Sequence, residues 1–142
     1  MADELALFLV DTSAWHHAAK PVVAESWQRF AEADRLAVTQ PVRLEILYSA
    51  RNAREYDALS DELDGLHRLP CDDAAFDRAL EVQRRLAHRR ALHHRSVKLP
   101  DLLIAAVAEI GGAVVWHYDR DYDRIASVTG QPTSWIAPRG KL

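Results

Sequence analysis

Short, wholly apolar runs alternate along this chain with longer segments in which apolar residues recur every three or four positions. The runs are typical of strands buried on both faces, and the periodic segments are typical of amphipathic helices. The predicted strands are 5–10 (LALFLV), 36–39 (LAVT), a short one near 67–70 (HRLP), 113–118 (AVVWHY) and 133–137 (TSWIA). Strands separated by helices predict an α/β domain with a mainly parallel central sheet and helices on both of its faces.

Helical periodicity or helix-ending residues mark the segments between these runs. The predicted helices are 22–33, one that Pro41 opens and that runs to Asn52, 54–66, a long one from Asp72, 100–112 and 121–130. In the long helix, the stripe that we expect to face the core consists of Phe76, Leu80, Gln83 and Leu86. Segment 100–112 has a proline in its first turn, two glycines at its end and an almost wholly apolar body, so it predicts a buried helix.

Length and composition fit one globular domain. A chain of 142 residues with 49% hydrophobic and 27% charged residues predicts a single domain over 1–142, in which 138–142 form a flexible tail. No apolar segment approaches the roughly 18 residues that a membrane span requires, and the N-terminal segment lacks the features of a secretory signal. The single cysteine favours a reducing compartment, so we expect the protein in the cytoplasm. The net charge of −3 gives no overall signature of nucleic-acid binding.

Carboxylates stand at the points where two of the predicted strands end. Asp11 follows the first strand in LVDTSAW, and Asp119 follows the fourth in WHYDRDYD. Ligand chemistry gathers at the carboxyl ends of the strands in parallel sheets. Asp101 lies in the first turn of the buried helix, where free N–H groups favour an anion. Glu45 interrupts the apolar segment LEIL, which predicts a position at or beside a packed surface, where a carboxylate needs a partner.

Each acid also has an ordinary structural explanation. Asp11 could cap the next helix, and Asp101 matches the first-turn preference for acids. Asp119 could be a turn residue, and Glu45 could pair with a nearby arginine. Taken together, however, four acids in one cleft would repel one another unless a divalent cation lay between them. Oxygen ligands suit Mg²⁺ and Mn²⁺, and such a site predicts the hydrolysis of phosphodiester bonds.

With these acids in place, the chain resembles a PIN domain and, more narrowly, the VapC toxins of bacterial toxin–antitoxin pairs. The matching segments, in the order of the family, are LVDTSAW, PVRLEILYSAR, KLPDLLIAAVAEIGG and VWHYDRDYDRIA. The resemblance covers essentially the whole chain. It implies an α/β/α sandwich around a mainly parallel sheet and an endoribonuclease that depends on Mg²⁺ or Mn²⁺. It also implies a cognate VapB-type antitoxin that blocks the active site.

The resemblance assigns roles to individual positions. The catalytic residues that it implies are Asp11, Glu45, Asp101 and Asp119. Of these, the expected metal ligands are Asp11, Asp101 and Asp119. The supporting residues, which would order the metal site through hydroxyl or carboxylate groups, are Thr12, Ser13 and Asp121. Asp121 is also the alternative to Asp119 as the fourth acid, because the motif holds several aspartates and the family varies at this point.

A basic stretch, RRLAHRRALHHRSVK over 84–98, leads directly into Asp101. In a nuclease, such a stretch places phosphate-binding charge beside the metal site and supplies affinity without sequence readout. Arg95 and Lys98, which are nearest to Asp101, are therefore the predicted RNA-binding residues. A solvated helix face is the better explanation for the more N-terminal arginines.

The first half of the chain holds a supply of large apolar side chains. They are Trp15, Trp27, Phe30, Leu44, Leu47 and Tyr48. Most must fill the core, but any surplus would form the groove that accepts an antitoxin helix, as family members do. A homodimer is a further expectation from the resemblance, and no membrane partner is expected.

Two other functions compete with the ribonuclease. A phosphatase of the haloacid dehalogenase type also starts from an aspartate at a strand end, but it requires a second aspartate two positions on, where this chain has Ser13. The other alternative is a non-catalytic PIN-like module that binds RNA or protein. Metal-dependent cleavage of RNA would distinguish the enzyme from that module.

Overall fold

The computed structural model describes residues 6–90 and 93–142. The strands are β1 Phe8–Val10, β2 Leu36–Thr39, β3 His67–Leu69, β4 Val114–His117 and β5 Thr133–Trp135. The helices are α1 Thr12–His17, α2 Pro21–Glu32, α3 Gln40–Tyr48, α4 Ala53–Asp64, α5 Asp73–Arg89, α6 Leu99–Gly111 and α7 Asp121–Thr129, with a 3₁₀ turn at His93–Ser96. The predicted α/β/α class is confirmed, and the start of the predicted strand 5–10 lies partly outside the described residues.

All five strands run parallel in the order β3-β2-β1-β4-β5. In the centre, Leu9 lies opposite Ala37 of β2 and Val115 of β4. The chain moves from β1 toward one edge and then crosses to the other side of β1 to form β4, so the direction of winding changes between these two strands. This is the position at which open parallel sheets form their ligand crevices, at the carboxyl ends of the strands.

Alternate residues of the central strands face two separate apolar layers. Leu9 and Val115 belong to the larger cluster, which includes residues of α3 to α7. Val10 and Trp116 belong to the smaller cluster on the other face. The smaller layer is rich in aromatic rings, and Trp116 stacks on Trp27 of α2 with ring centroids 5.6 Å apart. Helices on both faces therefore bury the sheet, which leaves the strand ends as the place for polar chemistry.

The helix that follows β2 is shorter than predicted. It ends at Tyr48, where the Ser49 hydroxyl donates a hydrogen bond to the carbonyl of Ile46. Asn52, which the sequence suggested as the last helical residue, instead caps α4 by accepting a hydrogen bond from the backbone N–H of Glu55 at 2.8 Å. Asparagine is among the preferred residues at helix N-termini because its side chain satisfies a free N–H group.

The core-facing stripe predicted for α5 is wrong except at Leu86. The buried residues of this helix are Ala75, Ala79, Val82 and Leu86. Phe76 and Leu80 are 50% and 61% exposed, respectively. The helix packs along α6 with its small residues inward, and α6 also buries several alanines. Periodicity alone favoured the largest side chains and therefore selected the neighbouring face.

Two further features of the chain concern its surface. Within the described residues, no helix has the length and apolar character needed to cross a membrane.

In the C-terminal segment 138–142, the backbone N–H groups of Gly140 and Leu142 donate hydrogen bonds to the Tyr118 hydroxyl, at 2.8 and 3.1 Å. The predicted flexibility of this segment stays a prediction.

Candidate metal centre

Four aspartates from different elements meet at the carboxyl ends of β1 and β4. Asp11 follows β1, Asp101 lies in the first turn of α6, Asp119 follows β4, and Asp121 begins α7. Three of them are almost completely buried, and Asp119 is partly exposed. Buried carboxylates are costly unless they are paired, hydrogen-bonded or bound to a metal. Their common location therefore calls for a compensating charge.

Asp11 is the helix cap that the sequence allowed, and its carboxylate also faces the acidic cluster. It is the N-cap of α1, since its Oδ2 atom accepts a hydrogen bond from the backbone N–H of Ser13 at 3.1 Å and a second one from the Ser13 hydroxyl. Its Oδ1 atom points to the other side and accepts a hydrogen bond from the Tyr122 hydroxyl at 2.7 Å. Capping thus fixes the orientation of a carboxylate that also faces the acidic cluster.

The Ser13 hydroxyl links the two central strand ends. It donates to Asp11 and accepts a hydrogen bond from the backbone N–H of Tyr118 at 2.9 Å. Tyr118 directly follows β4, so this one hydroxyl connects the segment after β1 to the segment after β4. The position agrees with the ordering role that the resemblance implied for Ser13.

Tyr122 belongs to the cluster although the sequence analysis did not single it out. Its side chain is fully buried, and its hydroxyl lies 2.7 Å from Asp11 Oδ1 and 3.2 Å from Asp101 Oδ1. Burial, and then the negative charges of these two aspartates, raise the pKa of the phenol well above its ordinary value, so the hydroxyl remains a donor. The available signal was that a buried tyrosine needs a partner for its hydroxyl, but the sequence does not identify that partner.

Asp101, Asp119 and Asp121 form the tightest group of potential ligands. One carboxylate oxygen from each lies within 4.8 Å of the others. Among the described residues, Asp101 Oδ2 is buried and accepts no hydrogen bond. A buried carboxyl oxygen without a hydrogen-bond partner, in an all-oxygen pocket, fits a hard divalent cation, which would supply the missing partner.

The ammonium group of Lys98 lies against this group of aspartates. Its Nζ atom is 2.7 Å from Asp119 Oδ2, 3.0 Å from Asp121 Oδ2 and 3.5 Å from Asp101 Oδ2. Burial acts against its protonation, but hydrogen bonds to Asp119 and Asp121 more than offset this and raise the pKa of Lys98. The predicted RNA-binding lysine is thus engaged in the acidic cluster.

Crowding separates the acidities of the neighbouring carboxyl groups. Burial, together with the proximity of Asp121 and the charges of Asp11 and Asp119, raises the pKa of Asp101 to about 8. Burial also acts to raise the pKa of Asp121, but hydrogen bonds from the backbone N–H and ammonium of Lys98 and from Asp101 lower it overall. Perturbed acidities of this kind cluster at functional sites.

Glu45 approaches the same centre from α3. Burial and the charge of Asp11 raise its pKa, and the hydroxyl of Thr12 acts in the opposite direction. The expected packed surface is wrong in detail, because the buried residues of this helix are Val42, Ile46 and Leu47, and Glu45 is exposed beside a groove of about 460 Å³. Its charge therefore faces solvent at the rim of the acidic cluster.

The arginine partner suggested for Glu45 is also not observed. Arg43 pairs with Asp64 at 2.9 Å, and Arg51 pairs with Glu55 at 3.0 Å. Both arginines are thus engaged elsewhere, so a simple ion pair does not explain the position of Glu45.

The basic stretch divides into engaged and exposed residues. Arg85 and Arg89 of α5 donate hydrogen bonds to the backbone of α7, at Val128 and Ser127. Arg95 lies on the 3₁₀ turn with an exposed side chain. The more N-terminal arginines therefore include residues that join two helices, whereas Arg95 faces solvent on the 3₁₀ turn that precedes α6.

Comparison with known proteins identifies this arrangement. The family model described as PIN domain matches residues 8–128, which include all of the acids described above. The chain belongs to the PIN-domain family. The matched segment begins at β1 and ends within α7, so four of the five strands of the sheet and the complete acidic cluster of this PIN domain lie inside it.

Curated relatives and solved structures agree with this family. The chain is 61% identical to Ribonuclease VapC18 of Mycobacterium tuberculosis over 96% of its own length and 99% of that protein, and 44% identical to Ribonuclease VapC51 of the same organism over 95% and 96%. The fold is similar to that of a DNA-bound VapBC from Salmonella typhimurium, with a TM-score of 0.75, 21% identity and coverage of 93% and 99% of the two chains. The corresponding values for VapBC-5 from Mycobacterium tuberculosis are 0.62, 23%, 92% and 98%.

Proposed function

We propose that this PIN domain is a metal-dependent endoribonuclease and the toxin of a VapBC-type toxin–antitoxin pair. The observation that carries the proposal is the convergence of Asp11, Asp101, Asp119 and Asp121 where the winding of the sheet changes direction, in a chain whose near-full-length relatives are named VapC ribonucleases. An acidic pocket of this kind repels a polyanion such as RNA unless a cation is bound. The pocket and the metal requirement thus support each other.

Asp101, Asp119 and Asp121 would hold the metal directly. In this proposal Asp121 takes the place of the expected ligand Asp11, because Asp11 lies on the other side of the Tyr122 hydroxyl. When bound, Mg²⁺ or Mn²⁺ supplies Lewis-acid chemistry, because it makes water more acidic and offsets negative charge on the leaving oxygen of the phosphodiester. Oxygen-only donors favour these hard ions over Zn²⁺.

Other residues of the site would orient the carboxylates, transfer protons or contact the RNA. Ser13 and Tyr122 hold the carboxylate of Asp11 from opposite sides, and Thr12 lies beside Glu45. The raised pKa of Glu45 and its position at the rim support a role in accepting or delivering a proton at the scissile bond. Arg95 is exposed and would contact RNA phosphates outside the pocket.

The test is an RNA cleavage assay on the purified chain, freed of any antitoxin. Total bacterial RNA is incubated with Mg²⁺ or Mn²⁺, beside an EDTA control and the variants Asp11→Asn and Asp101→Asn. We expect discrete fragments that disappear in EDTA and in both variants. Identical RNA from wild type and variants, with folded and metal-loaded protein, would overturn the enzyme in favour of a binding module.

We propose a VapB-type antitoxin as the protein partner. Leu44 and Tyr48 flank Glu45 on α3 with 71% and 91% of their surfaces exposed. This apolar surface at the rim of the acidic cluster would let a bound segment both dock and cover the site. The test is co-expression with the antitoxin: Leu44→Asp and Tyr48→Ser are expected to weaken the complex, and unchanged binding would place the antitoxin elsewhere.

We propose that two copies of the chain associate in the cytoplasm, each as a single domain over 1–142. Phe76, Leu80 and Leu99 are at least half exposed and surround a shallow apolar groove of about 230 Å³ between α5 and α6. Exposed apolar surface of this kind is typical of protein interfaces. Sedimentation of the wild type and of Leu80→Asp tests it, and a monomeric wild type would contradict the dimer.

A further inference from the structure

We propose that the Lys98 ammonium is an internal cation that holds the acidic pocket together before metal binds and that must leave when the metal enters. The proposal rests on the proposed metal site, but it concerns a different property, namely the competition between a side chain and the metal for the same ligands. It assigns to Lys98 a role beyond the RNA contact that its charge suggested.

The position of the ammonium carries the first step. Its Nζ atom lies 2.7 to 3.5 Å from one oxygen of each of Asp101, Asp119 and Asp121. These are the same three carboxylates whose oxygens lie close enough together to hold one ion. An ammonium and a divalent metal cannot both occupy the centre of such a small group, because both are cations and both need these oxygens.

The attachment of Lys98 to the fold allows the ammonium to move independently. Lys98 is the N-cap residue of α6, and its backbone N–H donates a hydrogen bond to Asp121 Oδ2 at 3.0 Å. Its side chain, in contrast, is 62% exposed. The backbone can therefore continue to hold Asp121 while the flexible side chain swings outward into solvent.

Electrostatics explains why the exchange has a measurable cost. In the metal-free pocket, the ammonium offsets repulsion among three neighbouring carboxyl groups. Metal binding must replace these ion pairs, so part of the metal's binding free energy is spent on displacing Lys98. Lys98 is thereby expected to stabilise the metal-free protein and to weaken its apparent affinity for metal. Once displaced, the ammonium faces solvent at the rim, where an RNA phosphate would be its next partner.

The experiment measures Mn²⁺ binding and thermal stability in wild type, Lys98→Met, Lys98→Arg and the control Lys20→Met, which removes an exposed lysine before α2. Methionine keeps much of the length of the lysine side chain without its charge, and arginine keeps a cation. Free Mn²⁺ is followed by electron paramagnetic resonance. We expect Lys98→Met to bind Mn²⁺ about tenfold more tightly, as removal of a charged hydrogen-bonding competitor implies. Lys98→Arg and Lys20→Met should stay near wild type.

The melting temperature provides the second readout. In EDTA, Lys98→Met should melt below wild type, and saturating Mn²⁺ should raise its melting temperature by more than it raises that of wild type. If Lys98→Met is unfolded without metal, Mn²⁺-driven refolding of this variant gives the same evidence. Unchanged or weaker Mn²⁺ binding by a folded Lys98→Met would overturn the proposal.

The outcomes separate this proposal from the proposed function. A wild type that binds Mn²⁺ but cleaves no RNA overturns the proposed ribonuclease. The Mn²⁺ affinities of wild type and Lys98→Met then decide the lysine exchange by themselves. A failure of Mn²⁺ to bind either wild type or Lys98→Met overturns both. Metal binding by Lys98→Met where wild type shows none supports the exchange in its strongest form.

Discussion

The two sides of the acidic centre hold their carboxylates by different means. On the β1 side, Asp11 is held by neutral donors, the hydroxyls of Ser13 and Tyr122. On the β4 side, the carboxylates of Asp119 and Asp121 contact the positive charge of Lys98, and Asp121 also lies 3.4 Å from the guanidinium of Arg124. Neutral donors can stay in place when a cation arrives, whereas an ammonium is repelled by it. One side is therefore preorganised for metal, and the other must rearrange.

Asp101 connects the two sides. Its Oδ1 atom faces the Tyr122 hydroxyl at 3.2 Å, and its Oδ2 atom faces the Lys98 ammonium at 3.5 Å. The second distance is too long for a hydrogen bond, so this carboxyl oxygen is buried without a hydrogen-bond partner. Substitution of Asp101 should therefore change RNA cleavage and metal binding most, and substitution of the neutral donors Tyr122 and Ser13 should change them less.

The largest effect is expected for Asp101→Asn. Loss of this ligand should lower the rate of RNA cleavage by roughly 100-fold or more. In EDTA, the same variant should melt at a higher temperature than wild type, because a neutral amide removes a crowded buried acid. Cleavage rates and melting curves measure both effects. The control is Asp57→Asn, at an exposed position on α4. An Asp101→Asn variant that is less active but not more stable would contradict the claim that Asp101 destabilises the metal-free protein.

The pH dependence of metal binding should follow the protonation of Asp101. Its pKa of about 8 in the folded chain lies above the ordinary value of 3.8, so the folded state holds the proton more tightly. The resulting stability of the metal-free protein is fully present below pH 3.8 and is lost as the pH rises through 8. Metal must displace this proton, so affinity should rise by about tenfold per pH unit up to that point.

Calorimetry in buffers of different ionisation enthalpy measures the proton released on Mn²⁺ binding. We expect close to one proton at pH 7 and much less at pH 9. A metal affinity that does not change between these values would show that Asp101 is already ionised in the metal-free protein.

A smaller effect is expected for Tyr122→Phe, which removes only the hydroxyl between Asp11 and Asp101. Groups that orient metal ligands typically contribute about 10-fold to 100-fold in affinity or activity, and we expect the lower end because Ser13 still holds Asp11. Mn²⁺ affinity and cleavage rate should fall together. The matched control is Tyr56→Phe, at a partly exposed tyrosine of α4. Equal metal affinity in both variants would reduce Tyr122 to a packing residue.

The smallest effect is expected for Ser13→Ala. Asp11 would retain the backbone N–H of Ser13 and the Tyr122 hydroxyl, so its orientation should change little. The link to the backbone of Tyr118 would be lost, at a cost of about 1 kcal/mol in the free energy of unfolding. Denaturant unfolding measures the stability, and cleavage should fall only a few-fold. A loss as large as that of Asp101→Asn would show that the hydroxyl is itself essential.

The sequence predicted that Asp11, Asp101 and Asp119 meet, because their positions follow from element boundaries. Strand ends locate Asp11 and Asp119, and a helix start locates Asp101; a parallel sheet then brings these boundaries to one edge. The contacts of Tyr122 with Asp11 and Asp101, and of Lys98 with Asp119, could not be predicted in this way. They join residues 21 to 111 positions apart and depend on the directions of the side chains. The buried face of α5 was missed for a related reason, since close helix packing selects small residues over large ones.

The site lies between the two inner strands that flank the change in winding, and the sheet ends on each side in a strand of three residues, β3 and β5. Exposed residues such as His67 and Arg68 on β3 can therefore change without altering the spacing between Asp11 and Asp119. For the evolution of such a chain, this separates two kinds of change. The edge strands are free to acquire new binding specificities while the acidic cluster is inherited unchanged.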